Sequence, residues 1–135
     1  MGQYHTVVNL TKKEYLDPHK FGDGLKLWEQ VNSEGGTMVA LFALLACSNG
    51  RGGGDLDEHD MIGRWTGDKI AVIGDYAENK DLPIEFKAGE INDKLESEYH
   101  DISDDILPVV ENACDVSITG TGWRQKTNRK ESEDI

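Results

Sequence analysis

An α+β fold is what the 135-residue chain predicts, on three observations. A continuous apolar run, Met38–Cys47, is built from good helix formers. β-prone segments stand on either side of it, and strands and helices intermix without a regular βαβ repeat. The expected architecture is a small single domain with a mostly antiparallel sheet, that central apolar helix, and one or two further helices. The domain is expected over 1–123, with a polar, flexible tail over 124–135.

In chain order, Gln3–Leu10 carries Tyr4, Thr6, Val7 and Val8 and reads as the first strand. Asp17–Gly24 is loop chemistry ending in a turn. Leu25, Leu27, Trp28 and Val31 fit a short amphipathic helix better than strict alternation, and Gly35-Gly36 breaks it. Thr37 can then cap the helix of Met38–Cys47, which Asn49-Gly50 ends. Being apolar all round, that helix is expected to be covered on most sides.

Met61–Trp65 and Lys69–Ile73 flank Thr66-Gly67-Asp68 and read as a β-hairpin closed by Gly74-Asp75. Glu90–Tyr99 is acidic and weakly periodic, which leaves helix and loop both open. Ser103-Asp104-Asp105 supplies a cap for a helix through Ile106–Val110, in which Pro108 is tolerable within the first turn. Val116–Trp123 reads as a last strand.

Composition narrows the function classes. A chain of this length buries roughly two thirds of its unfolded surface. Its 26 acids against 14 bases leave a net charge of −12, which disfavours direct contact with nucleic acid because phosphate is repelled over most of the surface. The same charge favours solubility, cations or a basic protein partner. Met1–Leu10 has no continuous apolar signal region, and Met38–Cys47 is about half of a bilayer span, so a cytoplasmic location without membrane insertion is expected. Cys47 and Cys114 both sit in apolar surroundings and are expected as buried small hydrophobes rather than a disulfide.

The glycine loop Arg51-Gly52-Gly53-Gly54-Asp55 is the one candidate ligand site. It follows the expected helix instead of preceding one, so it presents carbonyls rather than the free N–H groups of a phosphate cradle. Arg51 can still clamp a carboxylate or phosphate in two-pronged fashion, which points to a nucleotide-like, cation-assisted ligand. Four Gly-Asp dipeptides punctuate the chain, and their local role is to end elements. If Asp55, Asp57, Asp68 and Asp75 converge, their oxygens suit a divalent cation, magnesium or calcium.

No catalytic residue stands out. The histidines, His5, His19, His59 and His100, lack zinc-site spacing, and neither Cys has a CxxC partner. His59 lies between Glu58 and Asp60, where burial would make it a base and a turn would leave it exposed. The acidic stretch holds Glu90, Asp93, Glu96, Glu98, Asp101, Asp104 and Asp105 against Lys94 alone. On an ordered element these carboxylates could imitate a phosphate backbone and occupy the basic groove of a nucleic-acid-binding protein.

Met1–Tyr4, Phe21–Leu27, Gly50–Asp55 and Gly63–Asp68 resemble segments of short bacterial and bacteriophage proteins with no activity attached to them, over roughly the first eighty residues. That resemblance implies no functional residue. The expectation is a non-catalytic binding or inhibitory module whose acidic face meets a basic partner. A small-ligand protein using the Arg51 loop, or a structural subunit of a larger, viral assembly, are the alternatives.

Overall fold

Two neighbouring valines divide the molecule, because consecutive strand residues point to opposite faces of a sheet. The computed structural model describes residues 3–52 and 55–118. In it β1 (His5–Asn9) sends Val7 into one apolar core and Val8 into another. β1 pairs antiparallel with β2 (Glu14–Leu16) on one side and with β3 (Ile70–Gly74) on the other. β4 (His100–Asp101) joins β2 in parallel, giving the order β3-β1-β2-β4.

Four helices are described, where two or three were expected. α1 (Leu27–Val31) is a single short turn and a half. α2 (Thr37–Leu45) and α4 (Ser103–Ile118) cover the Val7 face with Leu16, Phe21 and the fully buried Trp65. α3 (Ala88–Glu98) covers the Val8 face through Ile91 and Leu95, followed by Tyr99, at helical spacing. The fold is α+β, as the mixture of elements implied.

Both ends of α2 are held by distant residues. At its start the cap position is Gly36, and Thr37 is the first helical residue rather than the cap. The buried Asp23 carboxylate takes over, its Oδ2 accepting the Thr37 N–H and hydroxyl at 2.7 Å each. A Cβ on Gly36 would come within 2.4 Å of that carboxylate, so glycine is what lets it approach. At the other end Gly63 and Trp65 donate backbone N–H groups to the carbonyls of Ala43 (3.0 Å) and Leu44 (2.9 Å). These are carbonyls that a helix terminus otherwise leaves open.

This explains why the expected hairpin is absent. Residues 61–67 form successive turns, with Gly63 at φ +82°, and only Ile70–Gly74 is a strand, pairing with β1. The Met61–Trp65 segment spends its backbone on α2 instead of on a neighbouring strand. Trp65 is anchored through its indole N–H to buried Glu14 at 2.8 Å, and the Arg64 guanidinium grips the same carboxylate.

Other expectations are corrected. Residues 116–118 continue α4, which excludes a strand beginning at Val116, while 119–123 and the expected tail at 124–135 lie outside the described residues. Pro108 is the sixth residue of α4, beyond the first turn, and it is exposed. Ser103 does not cap its own helix; its hydroxyl accepts the Asp17 N–H (2.7 Å), and Asp101 accepts the Ser103 N–H. Cys47 is exposed and Cys114 half-buried, because the helix ends before Cys47. Trp28 is exposed too, the buried residue of α1 being Gln30, whose amide bonds the His5 and Leu25 carbonyls.

Candidate functional site

α2 is helical as expected but is not covered all round. Ala40, Ala43 and Leu44 face the core, whereas Met38, Phe42 and Leu45, spaced four and three residues apart, stand on the opposite side. Phe42 is 77% exposed, an unusual position for a phenylalanine in a folded chain. Alongside, Val31 from the end of α1 and Leu56 and Ile62 from the connection after α2 complete an apolar cavity of about 580 Å³ with Met38, Val39 and Phe42. Trp28, one turn before Val31 on α1, is 67% exposed.

One acid, Asp55, lines this groove. Leu56 is the apolar member of Asp55-Leu56-Asp57-Glu58, and it turns into the cavity while Asp55, Asp57, Glu58 and the following Asp60 are exposed. The base of the glycine loop is closed by a reciprocal pair of bonds, Asn49 Nδ2 to the Leu56 carbonyl (2.9 Å) and Leu56 N–H to Asn49 Oδ1 (3.0 Å). Within it Asp55 accepts the backbone N–H of Arg51 at 2.7 Å. Gly50 and Gly52 have φ of +86° and +96°, conformations that favour glycine. Arg51 is exposed; Gly53 and Gly54 lie outside the described residues.

The four candidate metal ligands are not gathered. Asp55 serves the Arg51 backbone, and the Asp57 N–H reaches Asn112 on α4. Asp68 binds Lys12 at 2.6 Å and Asn9 at 2.8 Å, and Asp75 accepts the Tyr4 N–H. Among the described residues no group of three or more His, Cys, Asp or Glu side chains has the arrangement to hold a metal ion. His59 is half-buried in a turn, its Nδ1 facing the Met61 N–H at 3.1 Å.

The acidic stretch is likewise divided. Glu90, Asp93 and Glu96 are exposed on the outward side of α3. Glu98 lies 3.8 Å from Lys94, Lys20 holds Asp101 (2.9 Å) and Asp104 (3.3 Å), and Asp105 faces His100 at 3.9 Å. α3 and the α2 groove cover opposite faces of the sheet.

Electrostatics distinguish structural from solvated carboxyls. Burial pushes the Glu14 carboxyl up, but the bonds from Arg64 and Trp65 more than offset this and hold it below its ordinary value. Asp101 follows the same pattern, with burial opposed by Ser103 and Lys20, and Asp68 is lowered by Lys12 and Asn9. Burial raises the hydroxyls of Tyr15 and Tyr99. None of these groups lines the α2 groove.

No protein-family model matches the chain, and no curated protein or solved structure matches it either. Among the described residues no helix is long and apolar enough to cross a membrane. The groove was hidden from the sequence because an apolar run reads as buried, and nothing in it marks which flank stays open. Its one legible signal was the acidic, Leu-bearing segment at 55–60.

Proposed function

We propose that the protein is a non-catalytic binding module for a basic protein partner, and that the α2 groove seats an apolar side chain of that partner. The observation that carries this reading is Phe42, open to solvent beside an apolar cavity on the outward side of α2, where Met38 and Leu45 are exposed too. Large contiguous apolar surface on a polar chain marks an interaction site, and aromatic residues are enriched in such sites. The Asp55 carboxylate at the groove, the exposed acids Glu58 and Asp60 that follow it in the chain, and a net charge of −12 favour lysine- and arginine-rich partners and speed their approach.

Affinity capture from lysate at low salt tests the proposal, comparing wild type with Phe42→Ser and with Asp55→Asn/Glu58→Gln/Asp60→Asn. A basic protein retained by wild type, released by raised salt and lost in both variants supports it. The same protein retained by both variants at the wild-type level overturns the placement in the groove. The three α3 acids, which pair with no basic side chain among the described residues, are the second contact to examine. Loss of the partner in Glu90→Gln/Asp93→Asn/Glu96→Gln alone would move the site there.

A further inference from the structure

The α2 groove has an occupant within reach on the same chain. α4 forms part of its wall through Ala113. On either side of that residue, Asn112 accepts the Asp57 N–H at 2.9 Å, and Cys114 packs against Gly35, where a Cβ would lie 3.1 Å from its Sγ. The polypeptide therefore leaves the described structure, at Ile118, one helical turn or so past the groove, with the sequence 119–135 still to come.

Length permits a return. From Ala113 to Ile118 a helix advances about 7.5 Å, at 1.5 Å per residue. Residues 119–123 span up to about 17 Å when extended, well beyond that advance. Thr119-Gly120-Thr121-Gly122 puts two glycines ahead of Trp123, where a reversal of the chain needs them. Trp123 is the one aromatic residue of 119–135, and Arg124, Lys126, Arg129 and Lys130 follow it before the first acid, Glu131. The groove complements that pattern: Asp55 lines it and no base does. The exposed acids Glu34, Glu58 and Asp60 lie within two positions of the groove residues Ser33, Leu56 and Ile62, and they form no ion pair among the described residues.

We propose that Trp123 seats in the α2 groove of its own chain, with the bases after it drawn to these acids, and so holds the site against an external basic partner. The inference rests on the reading of the groove as a seat for an apolar side chain. A short connection makes the docking intramolecular, at an effective concentration of roughly millimolar, so a contact too weak to join two molecules is still populated. A partner must then displace the segment before it binds, and its apparent affinity falls by the fraction of chains in which the groove is filled.

Nuclear Overhauser contacts measured on the full chain test the seat. The expected result is contact from the Trp123 ring to the Met38 and Ile62 methyls, unchanged on dilution. Trp123→Ala should shift those methyl resonances and leave Ile91 and Leu95, on the opposite face of the sheet, in place. Arg124→Glu/Lys126→Glu and raised salt should each weaken the contact. A Trp123 ring without contact to the groove overturns the proposal, and so does contact that fades on dilution, which belongs to a second copy. Competition is read with a labelled peptide of sequence 119–135. It should bind Trp123→Ala about tenfold more tightly than wild type, and Trp123→Ala/Phe42→Ser should lose it. Equal affinity for wild type and Trp123→Ala overturns the proposal. Neither readout uses an external protein. An empty capture from lysate therefore counts against the partner and not against this seat, while a captured basic protein with no Trp123 contact does the reverse.

Discussion

Replacing Glu14 by alanine should be one of the costliest single changes in the molecule, although Glu14 looks like an ordinary acid on a short strand. Its side chain is 6% exposed and accepts bonds from Arg64 and from the fully buried Trp65 indole. Glu14→Ala leaves that indole N–H without an acceptor, at about 1–3 kcal/mol. Arg64 is 41% exposed and can turn to water, so losing its ion pair adds at most about 1 kcal/mol. The expected total is about 1–4 kcal/mol.

Glu14→Gln keeps an oxygen for the indole and loses the charge, so it should cost about half as much. Urea unfolding at pH 7, with the slope m unchanged, is the assay. Equal losses in the two variants would mean that the Arg64 pair, not Trp65, is what matters. A Glu14→Ala protein within about 0.5 kcal/mol of wild type, the range of an ordinary surface change, would refute the reasoning altogether.

The pH dependence carries a definite sign. Glu14, Asp68 and Asp101 have carboxyls held below their ordinary values of 4.5, 3.8 and 3.8. Their contribution is complete above those values and is lost as pH falls through the depressed folded-state ones. Thermal unfolding below about pH 4.5 should therefore show the gap between wild type and Glu14→Gln narrowing, with Asp68→Asn and Asp101→Asn flattening the same acid limb. Gly63→Ala forces a side chain into φ +82° with its Cβ 2.7 Å from the Ala46 carbonyl, and should lower stability by about 1–3 kcal/mol in urea titration. Asp23→Ala strips the acceptor from the N–H and hydroxyl of Thr37, which is 1% exposed, and should cost about 2–4 kcal/mol in the same titration. Phe42→Ser should leave stability within about 0.5 kcal/mol of wild type, so a partner lost in that variant is lost at the surface.

Elements defined by local composition were legible beforehand. β1, the body of α2 and the helix through Ile106–Val110 follow from runs of residues whose preferences agree with their final state. What escaped depends on residues far apart in the chain. Met61–Trp65 alternates well enough for a strand, but its amides are claimed by the end of α2 and its tryptophan by Glu14, which sits fifty-one positions earlier. Thr37 is a good cap by type, yet Asp23 arrives from fourteen residues away and does the capping. Trp28 and Gln30 exchange the expected inside and outside of α1 because the His5 and Leu25 carbonyls need donors there. For the site, the acidic segment around Leu56 could be seen but its cavity could not, since Val31, Met38 and Ile62 meet only in the folded chain.

The reciprocal bonds between Asn49 and Leu56 have a practical consequence. They hold residues 49 and 56 together, so the two ends of a lengthened connection between them would still meet at the same place, and a longer loop costs little extra closure entropy. A fluorophore-bearing insert or an epitope placed after Gly52 would report from beside the pocket while Asn49, Asp55 and Leu56, which line it, are kept.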